Sequence, residues 1–134
     1  MKLIALLITA VTFGLLLIGC SNTPEKGLLH GNVNIGPISP VEQPGQTTIL
    51  RCDIYDARKI LIFDKSGNKL LEQVNIECNA EENYTRYRVE LEPGIYIVDI
   101  NRIGVDSSSD VPKQIEIQSG ITVRLDIDID TGIR

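Results

Sequence analysis

From residue 28 onwards the chain contains short hydrophobic segments separated by polar, turn-forming residues. In Leu29–Ile35 and Thr85–Leu91 apolar and polar side chains alternate, which predicts strands with one buried face. Ile60–Phe63 and Ile95–Ile100 are almost continuously apolar, which is typical of central strands covered on both faces. These periods predict a protein built from β-sheets.

Seven strands and no helix are predicted after the N-terminal segment. Asp64–Lys69 and Glu92–Gly94 are predicted turns because they contain Asp, Asn, Pro or Gly. A third turn, at 118–120, would close a hairpin between the last two strands. The pattern predicts an all-β fold, a seven-stranded antiparallel β-sandwich over residues 28–134. The predicted strands are Leu29–Ile35, Ala57–Phe63, Leu70–Ile76, Thr85–Leu91, Ile95–Ile100, Lys113–Ile117 and Ile121–Ile129.

The first twenty residues have the layout of a secretion signal. Lys2 precedes the uncharged apolar run Leu3–Ile18, and the small residue Gly19 precedes Cys20. The segment Leu17–Cys20 resembles the lipobox of bacterial lipoproteins. This resemblance implies cleavage before Cys20 and attachment of diacylglycerol and palmitate to that residue, which would anchor the chain to a membrane.

The lipobox resemblance implies a location in the cell envelope, on the extracytoplasmic side of a membrane. It divides the chain into a signal peptide (1–19), a lipidated cysteine with its tether (20–27) and a β-sandwich domain (28–134). If the host has two membranes, Ser21 favours the outer one by the sorting rule of lipoproteins. The alternative is an uncleaved transmembrane helix, but Leu3–Gly19 is slightly shorter than the roughly 20 apolar residues that span a bilayer.

Composition narrows the classes of partner. The chain has 18 acidic and 13 basic residues and a formal net charge of −5. An acidic surface argues against binding to nucleic acid or to an anionic membrane face. Trp is absent and there are only four Tyr and two Phe, so flat aromatic platforms for sugars or bases are scarce. No cofactor is predicted.

Cys52 and Cys78 are the two cysteines that remain after Cys20. In an oxidising compartment they are predicted to form a disulfide, with two separate thiols as the alternative. If Phe63 pairs with Leu70 in the predicted hairpin, the two cysteines lie three residues out of register. The bridge therefore requires that the ladder end and the chain turn before these positions.

Three motifs resemble those of the carboxypeptidase regulatory-like, or transthyretin-like, β-sandwich domains. Glu92–Tyr96 resembles their Pro-Gly-x-Tyr turn, and Gly31–Val41 and Asp130–Arg134 resemble motifs at the two ends of small envelope proteins that carry this domain. The resemblance implies the fold and an accessory, adhesive or stabilising role without an assigned activity. The paired end motifs also lead us to expect that Arg134 docks on the loop at Gly36–Pro37.

Two activities of related domains find little support in the residues. Transthyretin-like hydrolases use several His and Arg and end in a Tyr-Arg-Gly-Ser-like tail, whereas this chain has one histidine, His30, and lacks that tail. Adhesin modules with a Lys–Asn isopeptide bond need a lysine in the first strand and an asparagine in the last, and neither is present. No catalytic residue is predicted.

Asp126, Asp128 and Asp130 alternate with apolar residues and are expected to share one face of a strand. They are weak candidates for a Ca²⁺ site, because such ions prefer several oxygen ligands. Same-face residues on a strand lie about 7 Å apart, which suits one ion poorly, and the chain lacks the Gly and Glu of an EF-hand loop. An acidic strand edge that discourages pairing is the favoured interpretation.

The other polar residues are interpreted as solvated surface: His30, the serines 107–109, and Arg86 and Arg88 with Glu90. The favoured function is a non-enzymatic, membrane-anchored lipoprotein that binds or supports an unidentified envelope protein. Asn101–Asp110 and Ser39–Gln46 are the predicted contact loops. The alternatives are a small transthyretin-like hydrolase and a Ca²⁺-stabilised surface adhesin.

Overall fold

The protein folds as two β-sheets packed face to face, with one short helix. The computed structural model describes residues 19, 21–39 and 49–134. In these residues it contains nine strands and the helix, which are β1 (Gly27–Gly36), α1 (Cys52–Asp56), β2 (Lys59–Phe63), β3 (Leu70–Asn75), β4 (Glu77–Asn79), β5 (Tyr84–Leu91), β6 (Gly94–Ile100), β7 (Lys113–Ile117), β8 (Thr122–Arg124) and β9 (Ile127–Asp130).

The first sheet has the order β4-β5-β1-β8, and β9 continues along the same side of β1 as β8. The second sheet has the order β3-β2-β6-β7. All-β folding with two sheets confirms the predicted sandwich class. The pairing is not antiparallel throughout, however, because β8 and β9 both run parallel to β1. The first and last strands of the chain are therefore direct neighbours.

The alternation of apolar and polar residues along β1 correctly predicted which of its side chains are buried. Leu29, Val33 and Ile35 are buried, while His30 and the asparagines point away from the core. β2 lies between β3 and β6, as predicted for a central strand, but only Ile60 and Ile62 are buried and its other face is partly exposed. The whole core cluster comprises Leu29, Val33, Ile35, Tyr55, Ile60, Ile62, Val74, Ile76, Tyr87, Val89, Leu91, Val98, Ile100, Val111, Ile115, Ile117, Leu125, Ile127 and Ile129.

The predicted hairpin around 118–120 is wrong. β7 pairs with β6 in the second sheet, whereas β8 pairs with β1 in the first. Ile117 and Leu125 are both buried in the core, but they approach it from opposite sheets. A burial pattern shows that a strand faces the core and does not show from which sheet.

The last strand is interrupted between β8 and β9, opposite Gly31. Its backbone approaches β1 so closely there that a Cβ on Gly31 would lie 1.8 Å from the Leu125 carbonyl oxygen. The Leu125 N–H donates to the His30 carbonyl at 2.9 Å, and the Tyr87 hydroxyl donates to the Leu125 carbonyl at 2.7 Å. Leu125 is thereby held in the core between the two strand segments.

Cys52 and Cys78 form the predicted disulfide, with their Cα atoms 5.5 Å apart. Cys52 begins α1, which the sequence did not predict, and Cys78 lies in β4 of the first sheet. The expected pair Phe63–Leu70 is present, and an irregularity beside it shifts the rest of the register. With a sequence separation of 26, the closed loop stabilises the fold by about 3.5 kcal/mol in the chain-entropy model.

Several predictions concern residues outside the described part. These are the signal peptide, the lipidation of Cys20, and most of the predicted contact loop Ser39–Gln46. Among the residues that are described, no helix is long and apolar enough to cross a membrane.

We expect Gly31→Ala to destabilise the protein by about 3 kcal/mol or more, since the added methyl group meets backbone atoms that cannot rotate away. Gly36→Ala in the same strand is the matched control, because a Cβ there has nothing within 4 Å. It should change stability by less than about 0.5 kcal/mol. Urea unfolding of both variants measures the difference, and equal stabilities would contradict the close approach.

Candidate functional site

Two grooves lie side by side near the ends of β1 and β9, and the loop that follows β6 lines both of them. The apolar groove has a volume of about 350 Å³ and is lined by Ile38, Arg51, Ile54, Arg58, Ile103, Gly104, Val105, Asp106, Thr131 and Ile133. The polar groove has a volume of about 530 Å³ and is lined by Asn34, Gly36, Pro37, Ser107, Ser108, Ser109, Asp128, Ile129 and Asp130. The Asn101–Asp110 loop, which the sequence singled out, contributes to both.

Exposed aliphatic side chains distinguish the apolar groove. Val105 is 73% exposed and Ile103 is 40% exposed, although both belong to a loop that is otherwise polar. Exposed apolar side chains that cluster around a groove with a polar rim are typical of a contact surface. These two residues were not predicted from the sequence, although the apolar Ile103-Gly104-Val105 interruption of the polar loop was a signal for them.

The buried ion pair between Arg58 and Asp106 fixes the loop that contains Ile103 and Val105. The Arg58 Nε donates to Asp106 Oδ2 at 2.8 Å, and Nη2 donates to Oδ1 at 3.0 Å. Nη1 of the same guanidinium donates to the Ile54 carbonyl in α1 at 2.9 Å, and the Ile103 N–H donates to Asp106 at 3.1 Å. Both charged side chains are buried, so helix, loop and groove floor form one hydrogen-bonded unit.

The same contacts set the charge of Asp106. Burial raises the pKa of its carboxyl group, but the hydrogen bonds from Arg58 and from the Ile103 N–H, with the charge of Arg58, outweigh burial. The net pKa therefore lies below its ordinary value, and the carboxylate is ionised at neutral pH.

The end of β1 and the C-terminal residues meet beside the grooves. Thr131 donates its backbone N–H to the Gly36 carbonyl at 3.1 Å and its hydroxyl to the Pro37 carbonyl. The expected docking of Arg134 on this loop is wrong: its guanidinium pairs with Asp130 at 2.9 Å instead. Asp130, four residues before Arg134, pairs with its guanidinium. Thr131 makes the hydrogen bonds to the Gly36–Pro37 loop instead.

The three aspartates of the last strand have separate partners. Asp126 pairs with Arg124 at 3.0 Å and accepts the Asn32 N–H at 2.8 Å. Asp128 accepts the side-chain amide of Asn34 at 2.8 Å. The hydrogen bond from Arg124 is the largest of the effects that lower the pKa of Asp126. Within the described ranges, no three His, Cys, Asp or Glu side chains come together in a group that could hold a metal ion.

Candidate nucleophiles and bases lie in different places. Ser107–Ser109 line the polar groove, while His30 lines a separate, smaller groove on the outer face of the first sheet. The grooves beside the Asn101–Asp110 loop therefore offer hydroxyl, amide, charged and aliphatic groups, which suit binding. No protein-family model matches the chain, and no curated protein matches it.

We expect Asp106→Asn to cost about 3–5 kcal/mol of stability, because Arg58 would remain buried without its counter-charge. Asp53→Asn removes the partner of Arg51 from an exposed pair and should change stability little. Thermal and urea unfolding measure both. An Asp106→Asn variant as stable as the Asp53→Asn control would contradict the role of the ion pair.

The lowered pKa of Asp106 also determines the direction in which the stability of the fold changes with pH. The contribution of Asp106 is complete above its unfolded pKa, near about 4, and is lost as the pH falls through the lower folded value. Unfolding curves between neutral and strongly acidic pH should therefore show a smaller acid-dependent loss in Asp106→Asn than in the natural protein.

Proposed function

We propose that the protein is a membrane-anchored envelope lipoprotein with a transthyretin-like, carboxypeptidase regulatory-like β-sandwich. In this proposal it acts as a non-enzymatic binding or structural accessory module that docks another envelope protein at the apolar groove. The observation that carries the proposal is the pair of exposed side chains, Ile103 and Val105, on a loop that the buried Arg58–Asp106 pair holds in place.

The position of the groove supports docking away from the membrane. Residues 21–26 separate Cys20 from β1, and such a tether reaches at most about 25 Å. β1 then runs from Gly27 at the tether to Gly36 beside the grooves, a distance of about 30 Å. A lipid on Cys20 would thus leave the groove at the far end of the domain, where a partner has access.

The Pro-Gly-x-Tyr turn supports the proposed type of sandwich. The Tyr96 hydroxyl donates to the Glu92 carbonyl at 2.7 Å, so the tyrosine closes the turn that carries the motif. Gly94 lies under the same ring, with the nearest ring carbon 3.6 Å from the position of a Cβ. The tyrosine of this motif therefore has a structural role in closing the turn, and its ring packs beside Gly94.

For the anchor, we expect Cys20→Ser to abolish metabolic labelling with palmitate and to move the protein out of the membrane fraction, because the acyl chains would have no attachment point. Ser21→Ala is the matched control and should retain both label and membrane. Cys20→Ser protein that stays in the membrane fraction would contradict a lipid anchor.

For the docking surface, a photo-cross-linking residue at the exposed position Ser107 should give reproducible links to one envelope protein in intact cells. Val105→Asp should reduce the yield of that product about tenfold, since it places a charge in the apolar contact. Ile121→Asp is the control: Ile121 is 50% exposed, and its carbonyl accepts the Leu28 N–H at the opposite end of β1. Equal losses in both variants, or the absence of a discrete product, would contradict the proposal.

A further inference from the structure

The outer face of the first sheet places three nitrogen-bearing side chains in one row across three strands. In the register of the sheet, His30 of β1 is opposite Arg88 of β5 on one side and Arg124 of β8 on the other. Neighbouring strands lie about 4.8 Å apart, so the row spans about 10 Å. The chain is acidic overall, and this row is not visible in its linear order because its members are 36 to 94 positions apart.

Arg88 differs from every other arginine in the described ranges 21–39 and 49–134. The others are each paired with a carboxylate: Arg51, Arg58, Arg86, Arg102, Arg124 and Arg134. Within these ranges Arg88 has no ion pair or hydrogen bond from its guanidinium, and the imidazole of His30 likewise has no hydrogen bond.

The surrounding acids do not neutralise Arg88. Glu77 is engaged by Arg86 at 3.0 Å, and Asp126 is engaged by Arg124 at 3.0 Å. Glu90 lies two residues further along β5, about 7 Å away in backbone distance, and forms no ion pair with Arg88 in the structure. Arg88 is therefore the arginine of this row that no described carboxylate pairs, whereas Arg124 is paired with Asp126.

The row borders a concave site. A groove of about 160 Å³ is lined by Leu28, His30, Arg86, Tyr87 and Arg88. Arg86 is held on the rim by its ion pair with Glu77 and by stacking over the Tyr84 ring at 4.3 Å. The free guanidinium of Arg88 supplies a planar fork of N–H donors, and His30 supplies a further nitrogen beside it.

We propose that this groove binds a phosphate group, with Arg88 as the principal donor and His30 and Arg86 beside it. A phosphate offers several anionic oxygens to donors that come from adjacent strands, and it would supply the counter-charge that Arg88 lacks. The site lies near the start of β1, away from the apolar groove, so the inference does not depend on the proposed docking function. The phosphate can belong to a lipid headgroup or to a soluble molecule.

The test is an NMR titration of the isotope-labelled full chain in a maltoside detergent, which contains no phosphate. Inorganic phosphate and dihexanoyl phosphatidylglycerol are the two probes. Both should shift the backbone amide signals of 28–32 and 86–88. Arg88→Gln should weaken binding about tenfold, because a charge-assisted hydrogen bond is lost.

Lys113→Gln is the matched control, since it removes one exposed positive charge from the second sheet. It should change the affinity less than about twofold. Equal weakening by both variants, or shifts confined to other surfaces, would overturn the proposal. Tighter binding of the lipid than of inorganic phosphate, with the same dependence on Arg88, identifies a headgroup as the source, and equal affinity identifies a soluble phosphate.

Discussion

The close approach of the Leu125 backbone to Gly31 is the constraint on which the arrangement of the sandwich depends. At this contact the C-terminal part of the chain lies alongside β1. Along β1, the parallel pair with β8 comes before the contact and the parallel pair with β9 comes after it. Because β9 is then in register with the end of β1, Thr131 reaches the Gly36 and Pro37 carbonyls. The wall that the C-terminal residues supply to both grooves follows from this one contact between two backbones.

The sequence predicted the parts of the fold that depend on local periodicity. Alternation identified the buried residues of β1 and β5, and turn residues identified the Phe63–Leu70 pair. It did not predict which sheet each late strand joins, because Ile117 and Leu125 show the same pattern of burial from opposite sides. The parallel pairing of β1 also has no local signal, since it depends on residues about 94 positions apart, such as Asn34 and Asp128.

The candidate site was predicted in outline and not in detail. Emphasis on loops selected Asn101–Asp110 correctly as a lining segment, but the residues that hold the loop lie elsewhere. Arg58 follows α1, and its partner Asp106 is 48 residues away. Charge counting gave the acidic balance of the chain and could not show that Arg88 lies beside His30, because strand order decides that contact. The strand order brings together the residues that line both grooves, and no short sequence motif contains them.

Parallel pairing between the first and last strands also has a consequence for how the chain is made. Synthesis proceeds from the N-terminus, so β1 and β5 are complete while β8 and β9 do not yet exist. Until about residue 130 has emerged, the side of β1 that pairs with β8 and β9 is an open row of backbone donors and acceptors. The nascent domain therefore passes through an interval in which its central strand is available to other chains, and the last few residues of the sequence end that interval.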